Sequence, residues 1–110
     1  MIVSFNEYSA QARSTEFFPK DVSIAYLLMG LAGESGELCN KYKKVLRDEG
    51  GELTERRINE MRAEIGDVLW YLDRLAEHLG SSLGAEAHNN IVKLKDRHAR
   101  GVVAGSGDNR

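Results

Sequence analysis

Ile58, Met61, Ile65, Val68, Leu72, Leu75 and Leu79 follow one another at alternating intervals of three and four residues, without a break. That period commits the middle of the chain to an α-helix, since a half-buried strand would repeat every second residue. A seam of this kind packs helices nearly antiparallel. Thr54 stands where an N-cap belongs and Gly80 where a helix is turned off. Proline occurs once, at Pro19, and no long segment beyond it alternates with period two. The expected fold is therefore all-α, and 110 residues make one domain spanning 1–110.

Three further helices read from the same signals. Ser4 and Glu7 have the spacing of a capping box, opening a short helix from about Phe5 to Arg13. Pro19-Lys20-Asp21 marks a turn and the start of a long helix to about Arg47, with Leu28, Leu31, Leu38, Tyr42 and Val45 as its apolar stripe. Asp48-Glu49-Gly50-Gly51 is a loop. The last helix runs from about Ser82 to Arg100, with Leu83, Ala87, Ile91, Leu94 and His98 on its buried side. Gly101 to Arg110 form a glycine-rich polar tail. The seam from Ile58 to Leu79 is longer than one partner helix needs, and a small domain buries little apolar surface alone. A dimer at least is expected, with this helix near the symmetry axis.

Composition narrows the function. A formal net charge of -2 argues against a dedicated nucleic-acid binder. The single cysteine, Cys39, gives neither an internal disulfide framework nor a zinc cluster. No basic leader opens the chain, and no apolar run approaches the ~20 residues that span a bilayer. A cytoplasmic protein without a membrane partner is expected.

The chemistry lies in two pairs of carboxylates, Glu34 with Glu37 and Glu64 with Asp67. Residues three apart share a helix face, with Cβ atoms about 5–6 Å apart. If the two helices pack side by side, four acids converge, and like charges raise one another's pKa unless a cation joins them. Oxygen-only ligands suit Mg²⁺, with Mn²⁺ as a substitute. Lys41 and Lys44 continue the first acidic stripe, and Glu60, Tyr71 and Arg74 lie along the second. Asn90, Lys93, Arg97 and Arg100 share a face of the last helix. Acids at the rim of a bundle would hold metal, and the cations would hold phosphate oxygens. Gly30, Gly33 and Gly36 flank the first pair, and glycines inside a helix point to close approach of a helix or ligand. His78, His88 and His98 complete no Glu-x-x-His motif, which weighs against a di-iron bundle.

Gly30-Leu31-Ala32-Gly33-Glu34-Ser35-Gly36-Glu37, the cations Lys41, Lys43, Lys44 and Arg47, and Glu64-Ile65-Gly66-Asp67-Val68-Leu69-Trp70-Tyr71 resemble the MazG-like nucleotide pyrophosphohydrolases. Asn90 to Leu94, Arg97 and the ending Gly105 to Arg110 are similar to that family's C-terminal region. The resemblance covers roughly Tyr26 to Arg110 and is to the short single-domain branch.

The resemblance implies a four-helix-bundle-like all-α NTP pyrophosphatase fold, assembled as a dimer or dimer of dimers whose cleft a second subunit completes. It implies Mg²⁺-dependent cleavage of a (deoxy)nucleoside triphosphate to monophosphate and pyrophosphate, for nucleotide pool control or house-cleaning. Glu34, Glu37, Glu64 and Asp67 are the implied metal ligands. Lys41, Lys44, Asn90, Lys93 and Arg97 are implied phosphate or sugar contacts, and Trp70 and Tyr71 base neighbours. Either Glu34 or Glu37 serves as general base, since a carboxylate amid like charges has its pKa raised towards useful values. The tail is expected to fold over the cleft, with Arg110 offering a planar fork to phosphate. Two other readings are carried: a non-catalytic helical interaction module with solvated acidic faces, and a phosphohydrolase acting on alarmone or nucleotide-sugar diphosphates.

Overall fold

Side-chain caps set where most of the helices begin. Ser4 accepts the Glu7 N–H at 3.2 Å while Glu7 accepts the Ser4 N–H at 3.2 Å, so the capping box that opens α1 (Phe5–Arg13) is complete. Thr54 accepts the Arg57 N–H at 3.3 Å at the start of α3 (Glu55–His78), and Ser82 accepts the Ala85 N–H at 3.1 Å at the start of α4 (Leu83–Arg100). The long helix α2 (Ser23–Asp48) has no such cap. It grows out of a single 3-10 turn, Lys20–Val22, in which Ser23 Oγ donates to the Lys20 carbonyl at 2.8 Å. The computed structural model describes residues 1–108, and among these all regular structure is helical.

Gly80 ends α3 with φ 81°, a conformation that suits glycine. Its N–H reaches the Glu77 carbonyl at 3.0 Å and the Ser81 N–H reaches Ala76 at 2.9 Å, the paired bonds of a Schellman ending. The chain is thereby released after α3 with its last carbonyls satisfied.

α2 and α3 pack against each other along an antiparallel hairpin, while α1 and α4 lie against α3 and against each other. α2 and α4 make no close backbone approach among the described residues. Among the described residues four α-helices are present as expected, but in one chain they do not close around one core. The radius of gyration is 16.9 Å, where a compact domain of this length has about 13 Å. Full burial among apolar side chains is confined to Ala12, Phe18, Leu27 and Val45.

The seam of α3 is correspondingly half open, with Ile58, Ile65, Leu72 and Leu79 exposed by 41, 57, 39 and 66 %. Two cations of α3 are buried instead, Arg57 near its start and Arg74 near its end. On α2 the buried leucine is Leu27, while Leu28 and Tyr42 of the expected stripe are exposed. On α4, Leu83 and Ala87 are half-buried as expected, but further along Ile91 and Leu94 are exposed and Arg97, one step round the helix, is buried. Periodicity identifies an apolar face but not what covers it. No helix among the described residues is long and apolar enough to cross a membrane.

Candidate functional site

The hairpin register brings the two acidic helices face to face. The Tyr71 ring of α3 sits against the backbone of Gly30 on α2, where a Cβ would lie only 2.0 Å from Tyr71 Cε1. One turn along each helix, Glu34 meets Asp67, and Glu64 joins them from the preceding turn of α3. Carboxylate oxygens of these three lie within 4.8 Å of one another. Glycine is required at position 30 for this approach. At Gly33 and Gly36 an added Cβ would meet nothing within 4 Å. The close-approach expectation therefore holds for one glycine of the three.

Among the described residues no cation pairs with this cluster. Burial raises the Glu34 carboxyl above its ordinary value, and its hydrogen bond with Glu64 and the charges of Asp67, Glu64 and Glu37 push the same way. Glu64 Oε2 is buried without a hydrogen-bond partner. A buried, unpartnered carboxylate oxygen costs stability unless something positive reaches it. An all-oxygen donor set of three acids, one with an orphaned atom, fits a hard divalent cation. Glu37 is exposed and lies outside the three-acid cluster, acting on it only through its charge.

A cavity of about 250 Å³ opens beside these acids, with Glu34 and Asp67 on its polar side. Its other walls are aromatic: Tyr26, Trp70 and Tyr71 from the helices, and Phe17 and Phe18 from the segment that follows α1. Phe18 stacks on Tyr26 with centroids 4.9 Å apart and meets the edge of Trp70 at 6.4 Å. Trp70 in turn meets Tyr71 edge-on at 5.0 Å. Burial raises the Tyr71 hydroxyl, as do Tyr26, Glu34 and Asp67. Trp70 Nε1 donates to Thr15 Oγ1 at 2.7 Å, and Thr15 completes the wall.

The sequence-derived cations fall elsewhere. Lys41 and Lys44 are half-buried further along α2 and do not line the cavity. Asn90 and Lys93 line a shallow cleft on α4 with Glu86 and Asn89. The tail folds back on that helix, where Lys93 and Arg97 bond the Asp108 carboxylate at 3.2 and 3.0 Å. Arg110 lies outside the described residues. Arg74, placed by its spacing on the acidic stripe of α3, is fully buried. The contribution of Thr15, Phe17 and Phe18 was not foreseen; its one visible signal is a pair of adjacent aromatics ahead of the single proline.

Against this geometry the comparisons with known proteins are direct. The family model for the MazG nucleotide pyrophosphohydrolase domain matches residues 23–102. The chain belongs to that family. It is 47 % identical over 87 residues to the Gene 37 protein of Mycobacterium phage L5, a match covering 79 % of this chain and 76 % of that protein. No solved structure matches the chain.

Proposed function

We propose that this protein is a Mg²⁺-dependent nucleoside triphosphate pyrophosphohydrolase that cleaves a (deoxy)nucleoside triphosphate to the monophosphate and pyrophosphate. The observation that carries the reading is adjacency: an uncompensated three-carboxylate cluster opens directly onto an aromatic-walled cavity. A nucleotide has the matching parts, a planar base and a polyanionic chain that needs a cation.

Glu34, Glu64 and Asp67 would hold the ion. When bound, Mg²⁺ (or Mn²⁺) withdraws charge from the phosphate oxygens and favours in-line attack at the α-phosphorus. Glu37, exposed one turn from Glu34, is the carboxylate left to take a proton from water once Glu34 is engaged. Trp70, Tyr71, Tyr26 and Phe18 receive the base, for which stacked and edge-on rings are suited. Asn90, Lys93 and Arg97 take phosphate oxygens in a cleft completed across a dimer, the assembly that the open apolar face of α3 supports.

Incubation of the purified protein with Mg²⁺ and a panel of triphosphates, with products resolved, tests this. Nucleoside monophosphate and pyrophosphate are expected. A nucleoside diphosphate with inorganic phosphate would place attack at the γ-phosphorus and overturn the reading. Absence of both turnover and divalent-cation binding would favour an interaction module.

A further inference from the structure

One wall of the cavity belongs to no helix. After α1 the chain passes through Thr15, Glu16, Phe17 and Phe18 to Pro19, and three of these residues line the cavity. Among the described residues, neither Phe17 nor Phe18 donates a backbone hydrogen bond. Thr15 and Glu16 bond back to the end of α1 through their N–H groups, at 3.0 and 3.4 Å, and beyond them the segment is held by side chains.

Glu16 is the main tether. Its side chain is 7 % exposed, and Oε1 accepts from Arg74 Nη1 at 3.1 Å and contacts His78 Nε2 at 2.9 Å. Lys20 bonds its other oxygen at 3.0 Å. Arg74 has no exposed surface and is fixed in turn by Asp73, at 2.8 and 3.0 Å, and by Glu77. Ser9 of α1 bonds Asp73, and Arg13 bonds Glu77. One buried guanidinium thus ties α1, the segment after it and α3 together.

Such a network is a poor source of net stability, because desolvating the charges offsets their attraction; what it fixes is geometry. Phe18 is the buried consequence: its ring lies 5.8 Å from His78, 4.9 Å from Tyr26 and 6.4 Å from Trp70. Phe17, next along, is 86 % exposed at the cavity rim. A fully solvated phenylalanine is stabilised by any planar ligand that covers it.

We infer that Arg74, acting through Glu16, is a positioning residue that holds the Thr15–Phe18 segment as one wall of the base cavity, and that this segment selects among nucleobases. The inference rests on the nucleotide reading of the cavity. Glu16 and Arg74 touch neither the carboxylate cluster nor the cavity interior, so loosening them should alter how the base is held and leave the phosphate chemistry unchanged.

Trp70 is the only tryptophan, and it bonds Thr15. Its fluorescence therefore reports the position of the wall without any turnover. In Glu16→Ala the emission should shift to the red and acrylamide quenching should rise, with the helical circular dichroism retained. KM should rise about tenfold while kcat stays within about twofold, and preference between purine and pyrimidine triphosphates should narrow. Glu16→Gln keeps the shape and an acceptor oxygen, and should recover part of each change. A folded Glu16→Ala protein with wild-type fluorescence and KM overturns the inference. If Glu16→Ala does not fold, Glu16→Gln carries the test: a KM raised several-fold at constant kcat supports it, and wild-type values overturn it. A wild-type protein inactive on every triphosphate would instead sink the nucleotide reading, with the fluorescence still showing whether Glu16 holds the wall.

Discussion

Two acidic clusters lie little more than two turns apart on α3, and they are built on opposite principles. At Glu34, Glu64 and Asp67, acids converge with no cation of the described residues among them, and the Glu34 carboxyl is raised. At Glu16, Asp73 and Glu77, the acids are answered by Arg13, Arg74, His78 and Lys20. There the hydrogen bond from Arg13, with help from Arg74 and against the effect of burial, holds the Glu77 carboxyl at about 2. Burial alone would raise Glu16, but bonds from Lys20, His78 and Arg74 outweigh it and lower it. The contrast separates a cluster satisfied within the chain, which ties α1, α3 and the segment between them together, from one that leaves the buried Glu64 Oε2 without a partner.

The largest effect expected is from removing the cation of the satisfied cluster. Arg74→Met leaves Asp73 and Glu16 buried without their partner, a situation that costs about 3–5 kcal/mol. Thermal denaturation should show a Tm far below wild type. A small change would mean that water or a rearranged Arg13 takes over, and the two clusters would differ less than their geometry indicates.

In the unsatisfied cluster the same kind of change should spare the fold and remove the activity. Asp67→Asn keeps shape and discards one negative charge, and Asp67 is exposed. Changes behind a metal ligand already cost about 10–100-fold, so loss of a ligand should cost at least a hundredfold in turnover. Added Mg²⁺ or Mn²⁺ should raise the Tm of the wild type, by about 2.7 kcal/mol in stability at a hundred times Kd, and that of Asp67→Asn much less. Wild-type turnover in a folded Asp67→Asn protein would remove Asp67 from the metal set.

Much of this arrangement was legible in the sequence, and the rest had physical reasons to stay hidden. Caps are local, so Ser4 with Glu7, Thr54, Ser82 and Gly80 marked their helix ends correctly. The meeting of Glu34 with Glu64 and Asp67 was readable because an antiparallel hairpin has few registers that bury its apolar residues. The burial of Arg74 was not readable because its partners include Glu16, 58 positions away on a segment with no period. The wall at Phe17 and Phe18 was invisible for the same reason. The seam of α3 was readable as apolar and as longer than one partner helix needs, but a pattern of three and four cannot say which of its residues this chain covers.

Titration sharpens the comparison with a smaller effect, and the two clusters should respond in opposite senses. Glu77 ionises at about 2 when folded, against an ordinary 4.5. Its contribution to stability is complete above the ordinary value and is lost as pH falls through the folded one. Acid titration followed by circular dichroism should therefore lose stability from about pH 5 down towards 2, and Glu77→Gln should flatten that slope. Glu34, raised in the folded chain, works the other way: stability is lost as pH climbs through its range. Glu34→Gln should gain a few degrees in Tm at neutral pH without divalent cation, and lose that advantage when the cation is added. Equal Tm values under both conditions would mean that the three acids do not repel one another as their spacing requires.

The ring of Tyr71 against Gly30 sets a length as well as a contact. With no Cβ on α2 and an aromatic ring in its place, the two helix axes at this level can draw no nearer than the ring allows. Glu34 and Asp67 hang from those same two backbones one turn away, so the ring works as a shim. The spacing of the carboxylates is gauged by an uncharged side chain.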